Sequence, residues 1–351
     1  MTRASSISLL VCCLMAACAS AAEITCRMSS RFLARGEPAL LEIAVVDFKP
    51  TRAPEIAPIR GVEIRSTGRG PQAQVLPGRR IEYSYSFEIS SFEIGTHRIE
   101  SVSIENGGET LQTEPLDFTV FSAEALTWNE AKVGDTSFRY ASALLAAKTD
   151  PYVGENVPVE IKLYVPRDLY VVDWGIPDFE RDGVTAWRMQ PEEMRSQASL
   201  LGNPFVSVAY PSALSASRAG ENAIGPADIR LMTTQVVLDG IPRRIAVETH
   251  VQVPALKLNA KELPPNPPTG FRNAVGEFRI ELTTPSTEVN EGDPIPLEIT
   301  VSGTGNLDTL EAPLPVNSLG WKVYEAARQQ RGTQRGQTSG STVFQQFLRP
   351  L

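Results

Sequence analysis

The chain has 351 residues, with 33 Lys or Arg against 41 Asp or Glu and a formal net charge of −8. That acidic balance argues against a phosphate-binding surface as its main business, and two His leave little material for a His-rich metal site or for general acid–base work near neutral pH. With 42% hydrophobic and 21% charged residues the composition is globular, and the length suits two or three domains.

Met1–Ala22 reads as an export signal. Arg3 supplies the positive start, residues 7–17 (ISLLVCCLMAA) form an apolar run, and Ser20 and Ala22 stand at −3 and −1 of a cleavage site before Glu23. The run is too short to span a bilayer, which needs ~20 residues. A second reading of the same segment is a lipoprotein signal, with Cys18 as the acylated residue after Leu14-Met15-Ala16-Ala17. Either way the mature protein is exported. No later stretch reaches ~18 consecutive apolar residues, so no membrane helix is expected in residues 23–351. Cys26 is then left without an intramolecular disulfide partner and reads as a small, half-buried strand residue.

Three segments match without gaps: Gly36–Val45 (GEPALLEIAV), Gly154–Leu163 (GENVPVEIKL) and Gly292–Val301 (GDPIPLEITV). Each places a Gly-acid turn signal ahead of an aliphatic, Glu, Ile, any residue, aliphatic run, which predicts a turn followed by a half-buried strand. A second element closes the unit, with Ile at +4 and +9 from Gly95 and again from Gly220. The opening-to-closing spacing is 95 − 36 = 59 and 220 − 154 = 66 residues, and 351 − 292 = 59 places the last residue where the third closing Gly is due. The third unit is therefore expected to be incomplete and the sequence to be a fragment of a longer protein.

Short strands with frequent turn signals predict an all-β chain of tandem immunoglobulin-like or fibronectin-like β-sandwich domains. The expected boundaries are a signal peptide over 1–22, sandwiches over 23–122 and 123–256, a Pro-rich linker over 257–273, and a truncated third sandwich over 274–351. The only helix candidates are Asn129–Lys132 and Pro191–Ser199.

Chemical candidates are sparse. His97 and His250 fall on strands of different units and read as ordinary strand residues. Ser302-Gly303-Thr304-Gly305 lacks the third Gly and the following helix of a phosphate loop, and reads as a strand ending in a backbone turn. Glu192-Glu193 and Glu291 with Asp293 read as turn and surface acids rather than calcium ligands. Trp128, Trp174, Trp187 and Trp321 suit packing better than a sugar-stacking platform. The low-complexity segment Ala326–Ser341 carries Arg328, Arg331 and Arg335 and reads as a hairpin loop, a candidate partner-contact site. No catalytic, cofactor-binding or metal-ligating set emerges, and no cofactor is expected.

Residues 264–310 hold the most specific pattern. Pro264-Pro265, Pro267-Pro268 and Gly270-Phe271 lead into Asn273-Ala274-Val275-Gly276-Glu277-Phe278, then the Gly292 turn, then Ser302-Gly303-Thr304-Gly305-Asn306-Leu307. This resembles the BatD oxygen-tolerance family, with Trp321–Tyr324 and Phe347–Pro350 also similar to family positions. The resemblance implies a non-enzymatic protein of stacked β-sandwiches on the periplasmic side of the cell envelope, linked to oxygen tolerance and envelope stress. It further implies membrane-anchored von Willebrand A-domain proteins of a MoxR-linked operon as partners, no nucleic-acid partner, and a membrane anchor beyond residue 351. The alternative reading is a surface adhesin or glycan-binding Ig-like protein. A hydrolase site between the first two units would need a cleft that gathers acids or a Ser near His97 or His250.

Overall fold

The computed structural model describes residues 23–351 apart from 69, 194, 238–242, 286–287, 316 and 330–337. Residues 1–22, expected to be an export signal and including Cys18, and Arg331 and Arg335 lie outside the described residues. What is described is built from strands, with two 3-10 turns (Pro77–Arg79 and Ala123–Ala125) and no α-helix.

In each unit the repeat segment forms the strand on which the sheet is assembled. Ala39–Val46 lies between Glu23–Met28 and Ile81–Ser91, Asn156–Pro166 between Thr136–Ala146 and Asn203–Ala216, and Ile295–Gly305 between Gly276–Thr283 and Ser339–Pro350. All six pairings are antiparallel, and the three repeat strands occupy equivalent places in comparable sheets. The opening glycines have φ of 77°, 80° and 87°, a left-handed conformation that explains why Gly recurs there. The following acid closes the turn, its amide donating to the carbonyl three residues back in every copy (Glu37 to Ala34, Glu155 to Tyr152, Asp293 to Asn290).

Units one and two are two-layered sandwiches. In unit one, Leu41, Ile43, Val45, Phe87 and Ile89 of the first sheet pack on Leu33, Ile99, Phe118 and Val120 of the second, which orders Phe32–Ala34, Leu116–Phe121 and Gly95–Ile99. In unit two, Ile161, Leu163, Val208, Tyr210 and Leu214 face Trp174, Ile224, Ile229, Leu231 and Val251 of an opposing sheet built around the long strand Gly220–Val237. The isoleucines placed by the closing glycines, Ile99, Ile104, Ile224 and Ile229, are all buried. The third unit has a single sheet among the described residues. Its core is small, with Ile299, Val301 and Phe344 covered by Leu307 and Leu310, and Ile280 and Leu282 on the same face are 53% and 64% exposed. The chain is thus all-β, a tandem array of Ig-like β-sandwich units, the third showing one sheet among the described residues.

Three local expectations are corrected. Asn129–Lys132 is not helical. It belongs to Thr127–Val133, which forms a tight hairpin with Thr136–Ala146 through Gly134-Asp135, Gly134 having φ of 56°. Pro191–Ser199 runs into the strand Ser196–Leu200, paired with Asn203–Ala216 across a turn at Leu201-Gly202, both with positive φ. The Pro-rich linker starts later than residue 257, because Leu256–Ala260 is the last strand of unit two and pairs with Gly220–Ile224.

Candidate interface at the joint between units

The strand Asn156–Pro166 is buried on both faces. Side chains alternate across a strand, so Ile161, Leu163 and Val165 enter the unit-two core while Glu160, Lys162 and Tyr164 share the opposite face. The sequence pattern predicts that second face to be solvated. Instead unit one docks on it, and Glu160, Lys162 and Tyr164 are each at most 1% exposed.

The apolar part of the joint joins Phe32, Ala34 and Phe121 of unit one to Leu126, Ala141, Ala143, Tyr164, Ala198, Leu200 and Phe205 of unit two. Trp128 meets Phe205 edge-on at 5.6 Å and Arg139 stacks 5.2 Å from the indole. The polar part centres on Glu37, the turn acid of the first repeat. One carboxylate oxygen accepts from Lys162 Nζ at 2.9 Å and Ser196 Oγ at 2.7 Å. The other accepts from Tyr164 Oη at 2.7 Å and the Ala34 amide at 2.8 Å. Four donors satisfy a carboxylate that is 2% exposed, as burial of a charge demands. Burial alone would raise the Glu37 carboxyl, but the Lys162 ammonium and the Tyr164 hydroxyl override it and hold it below the usual carboxylate range. Burial, together with the Glu37 charge, keeps the Tyr164 hydroxyl protonated well above its ordinary value. The equivalent turn acids stay local. Glu155 accepts from the Tyr152 amide and from Lys148, and Asp293 from the Asn290 side chain.

The third unit is attached more sparingly. Asn156 Nδ2 donates to Asp308 Oδ1 at 2.9 Å, and the Arg31 guanidinium reaches Thr338 and Ser339 at 3.4 and 3.5 Å. A cleft of about 980 Å³ lies among the three units, lined by the Arg98–Asp117 and Lys148–Glu155 pairs and by Glu277 and Arg279. Its charges are mixed in sign, so it presents no concentrated field to an ionic ligand.

The motif residues of the third unit have a structural account. Gly276 pairs with Gly305 and Phe278 with Gly303, so closely that a Cβ on Gly303 would sit 2.0 Å from the Glu277 carbonyl oxygen and one on Gly305 2.4 Å from that of Val275. Asn306, buried, accepts the Val275 amide at 2.9 Å and donates to the Asn273 carbonyl at 2.7 Å, tying the 273–275 segment to the strand end. These residues form a clasp between two strands.

The remaining sequence candidates are dispersed. His97 stacks on Phe118 with ring centroids 5.2 Å apart, and its Nε2 lies 2.9 Å from the Glu93 carbonyl. His250 is on the exposed side of a unit-two strand between Asp228 (2.6 Å) and Glu248 (3.1 Å), whose hydrogen bonds raise its pKa. The two imidazoles do not share a site. Trp174 is in the core of unit two, Trp128 is at the joint and Trp321 is on the third unit, so they form no common platform. Arg328 sits on the short strand Ala327–Gln329 rather than in a loop, its guanidinium donating to the carbonyls of Leu307 and Asp308. Burial pushes the Cys26 thiol up to about 11, against the pull of Arg31, which leaves it unreactive. Among the described residues no group of three or more His, Cys, Asp or Glu is arranged to hold a metal ion, and no helix is long and apolar enough to cross a membrane.

No family model and no curated protein matches the chain. Solved structures similar to it include FdeC, an adhesin of Escherichia coli, at 13% identity over 94% of this chain and 88% of that one, with a TM-score of 0.18. The D0-D1 domain of intimin aligns at 10% identity over 68% of this chain and 97% of that one, TM-score 0.16. The Yersinia pseudotuberculosis adhesin InvE aligns at 12% identity over 65% and 58%, TM-score 0.16.

Proposed function

We infer that the chain is a non-enzymatic scaffold of the cell envelope, exported by its N-terminal segment and presenting β-sandwich surfaces to membrane partner proteins. The observation that carries this reading is the use made of its buried chemistry. Glu37, Lys162, Tyr164 and Glu160 form a cluster of buried ionisable side chains, enclosed inside a joint between two sandwiches. Their role there is to fix the angle between units one and two, which is what a protein needs if it is to hold surfaces at a set spacing. The likeness of residues 264–310 to the BatD oxygen-tolerance family favours von Willebrand A-domain proteins as the partners and a role in oxygen tolerance, with the periplasmic side of the envelope as the place of contact.

The test is chemical cross-linking of the tagged full chain in its native envelope, followed by identification of the captured proteins. Recovery of an A-domain membrane protein, lost when the tagged chain carries a disrupted joint, supports the reading. Capture of soluble envelope polysaccharide, with no membrane protein, contradicts it.

A further inference from the structure

The third unit has an open strand edge whose residues are arranged in a definite pattern. Gly276–Thr283 is the terminal strand of its sheet, and among the described residues nothing pairs with its far side. Every residue of it except Phe278 is exposed. A long strand edge with open backbone groups is a template for another strand. In unit two the strand in the equivalent place, Thr136–Ala146, does carry a further antiparallel neighbour, Thr127–Val133.

The phase of the ladder decides which backbone groups are open. Val275 stands opposite Asn306, next to the Gly276–Gly305 pair, and its carbonyl accepts the Asn306 amide at 3.2 Å. Bonded and unbonded pairs alternate along an antiparallel ladder. Glu277, Arg279 and Glu281 therefore direct their N–H and C=O to Ile295–Gly305, while Phe278, Ile280 and Leu282 turn theirs outward. The Gly305 amide, which donates to Thr338 on the other side of its strand, keeps the same phase. Side chains alternate as well. Glu277, Arg279 and Glu281 line the cleft, and Phe278, Ile280 and Leu282 share the apolar face.

A strand that fits this edge must offer its own outward bonding residues to these three. It must also put apolar side chains on one face and, on the other, an acid opposite Arg279 and a cation opposite Glu281. The same strand turned antiparallel about Ile280 meets every one of these demands. We propose that this edge pairs with the same edge of a second copy of the chain, joining the two third units into one continuous sheet. Phe278 then exchanges both backbone bonds with the partner's Leu282, and Ile280 with the partner's Ile280. Arg279 stands opposite the partner's Glu281 in an unbonded pair, where side chains approach most closely, and the two-fold axis repeats the contact. Within the chain, neither Arg279 nor Glu281 has an ion-pair partner among the described residues. The register is selective. A slip of two residues sets Arg279 against Arg279 or Glu281 against Glu281, and a slip of four shortens the overlap. The edge lies in the plane of the sheet, so a layer over the apolar face leaves it open.

The test is sedimentation of the full chain from about 1 to 300 μM, where a weak reversible dimer is expected, as a small interface dictates. Arg279→Glu and Glu281→Arg each place like charges opposite one another and should weaken association about tenfold or more. Both side chains are exposed, so neither substitution disturbs the core. An equimolar mixture of the two variants should regain the dimer, because every contact between positions 279 and 281 again joins unlike charges. Amide exchange locates the contact. The amides of Phe278, Ile280 and Leu282 should slow as concentration rises, while those of Arg279 and Glu281 stay unchanged. A chain that remains monomeric throughout overturns the proposal, and so does a dimer that both charge reversals leave intact. Slowing of the edge amides only on addition of a different envelope protein would give the edge another occupant, and overturns it too.

Discussion

The two junctions of this chain are made differently. Between units one and two, aromatic and aliphatic side chains surround an ion pair that is fully enclosed, and the partners are separated by 125 residues in sequence. At the third unit, among the described residues, one amide-to-carboxylate bond from Asn156 of unit two and two long hydrogen bonds from Arg31 of unit one lie beside a cleft of about 980 Å³. A buried charge pair adds little net stability over an apolar pair of similar shape, but it punishes any arrangement that leaves one partner alone. The first junction is thus specific as well as tight, while the second is held by contacts that water can replace at small cost.

Substitutions at the two junctions should therefore differ sharply in cost. Lys162→Met leaves the Glu37 carboxylate enclosed without its cation and should destabilise the first two units by about 3–5 kcal/mol in urea unfolding. A loss below about 1 kcal/mol would mean that the joint opens readily in solution. Asn306→Ala acts inside the third unit, removing partners of the Val275 amide and the Asn273 carbonyl. It should cost about 1–3 kcal/mol, read as faster exchange along Gly276–Thr283 with units one and two unchanged. Asp308→Ala breaks the bond from Asn156 at the second junction, and an effect below about 1 kcal/mol is expected in the same measurement. A large effect there would erase the distinction between the junctions.

Much of this architecture is legible in the sequence, and the reason is local. A Gly-acid turn followed by an alternating aliphatic run needs only its own residues to become a strand, so the match of residues 36–45, 154–163 and 292–301 is enough to locate three equivalent strands. The hairpin turns at Gly134-Asp135 and Leu201-Gly202 are also written locally, and the weak helix signals at 129–132 and 191–199 compete with them and lose to sheet pairing. The joint is hidden for the opposite reason. Glu160, Lys162 and Tyr164 at alternate positions resemble the polar outer face of any half-exposed strand, and the corresponding Glu42 does remain at the surface, bonded to Arg27 at 2.7 Å. What distinguishes Glu160 is the docking of a unit whose contacting residues lie some 130 positions earlier, at Ser30 and Arg31. Glu37 is partly legible: its role in the turn follows from the repeat, whereas its second role, receiving Lys162, depends on long-range packing. Arg328, attractive as a loop cation, is instead committed to the carbonyls of Leu307 and Asp308 on its own unit.

The measurement that bears most directly on the joint is native-state hydrogen exchange across the whole chain as urea is raised. Amides of Phe32–Ala34 and of Val159–Tyr164 should open in one cooperative step with a shared free energy and a shared dependence on urea, while Gly276–Thr283 opens earlier and alone. Separate opening of the first two segments, each with its own urea dependence, would show that unit one and unit two are independent bodies and would contradict the account.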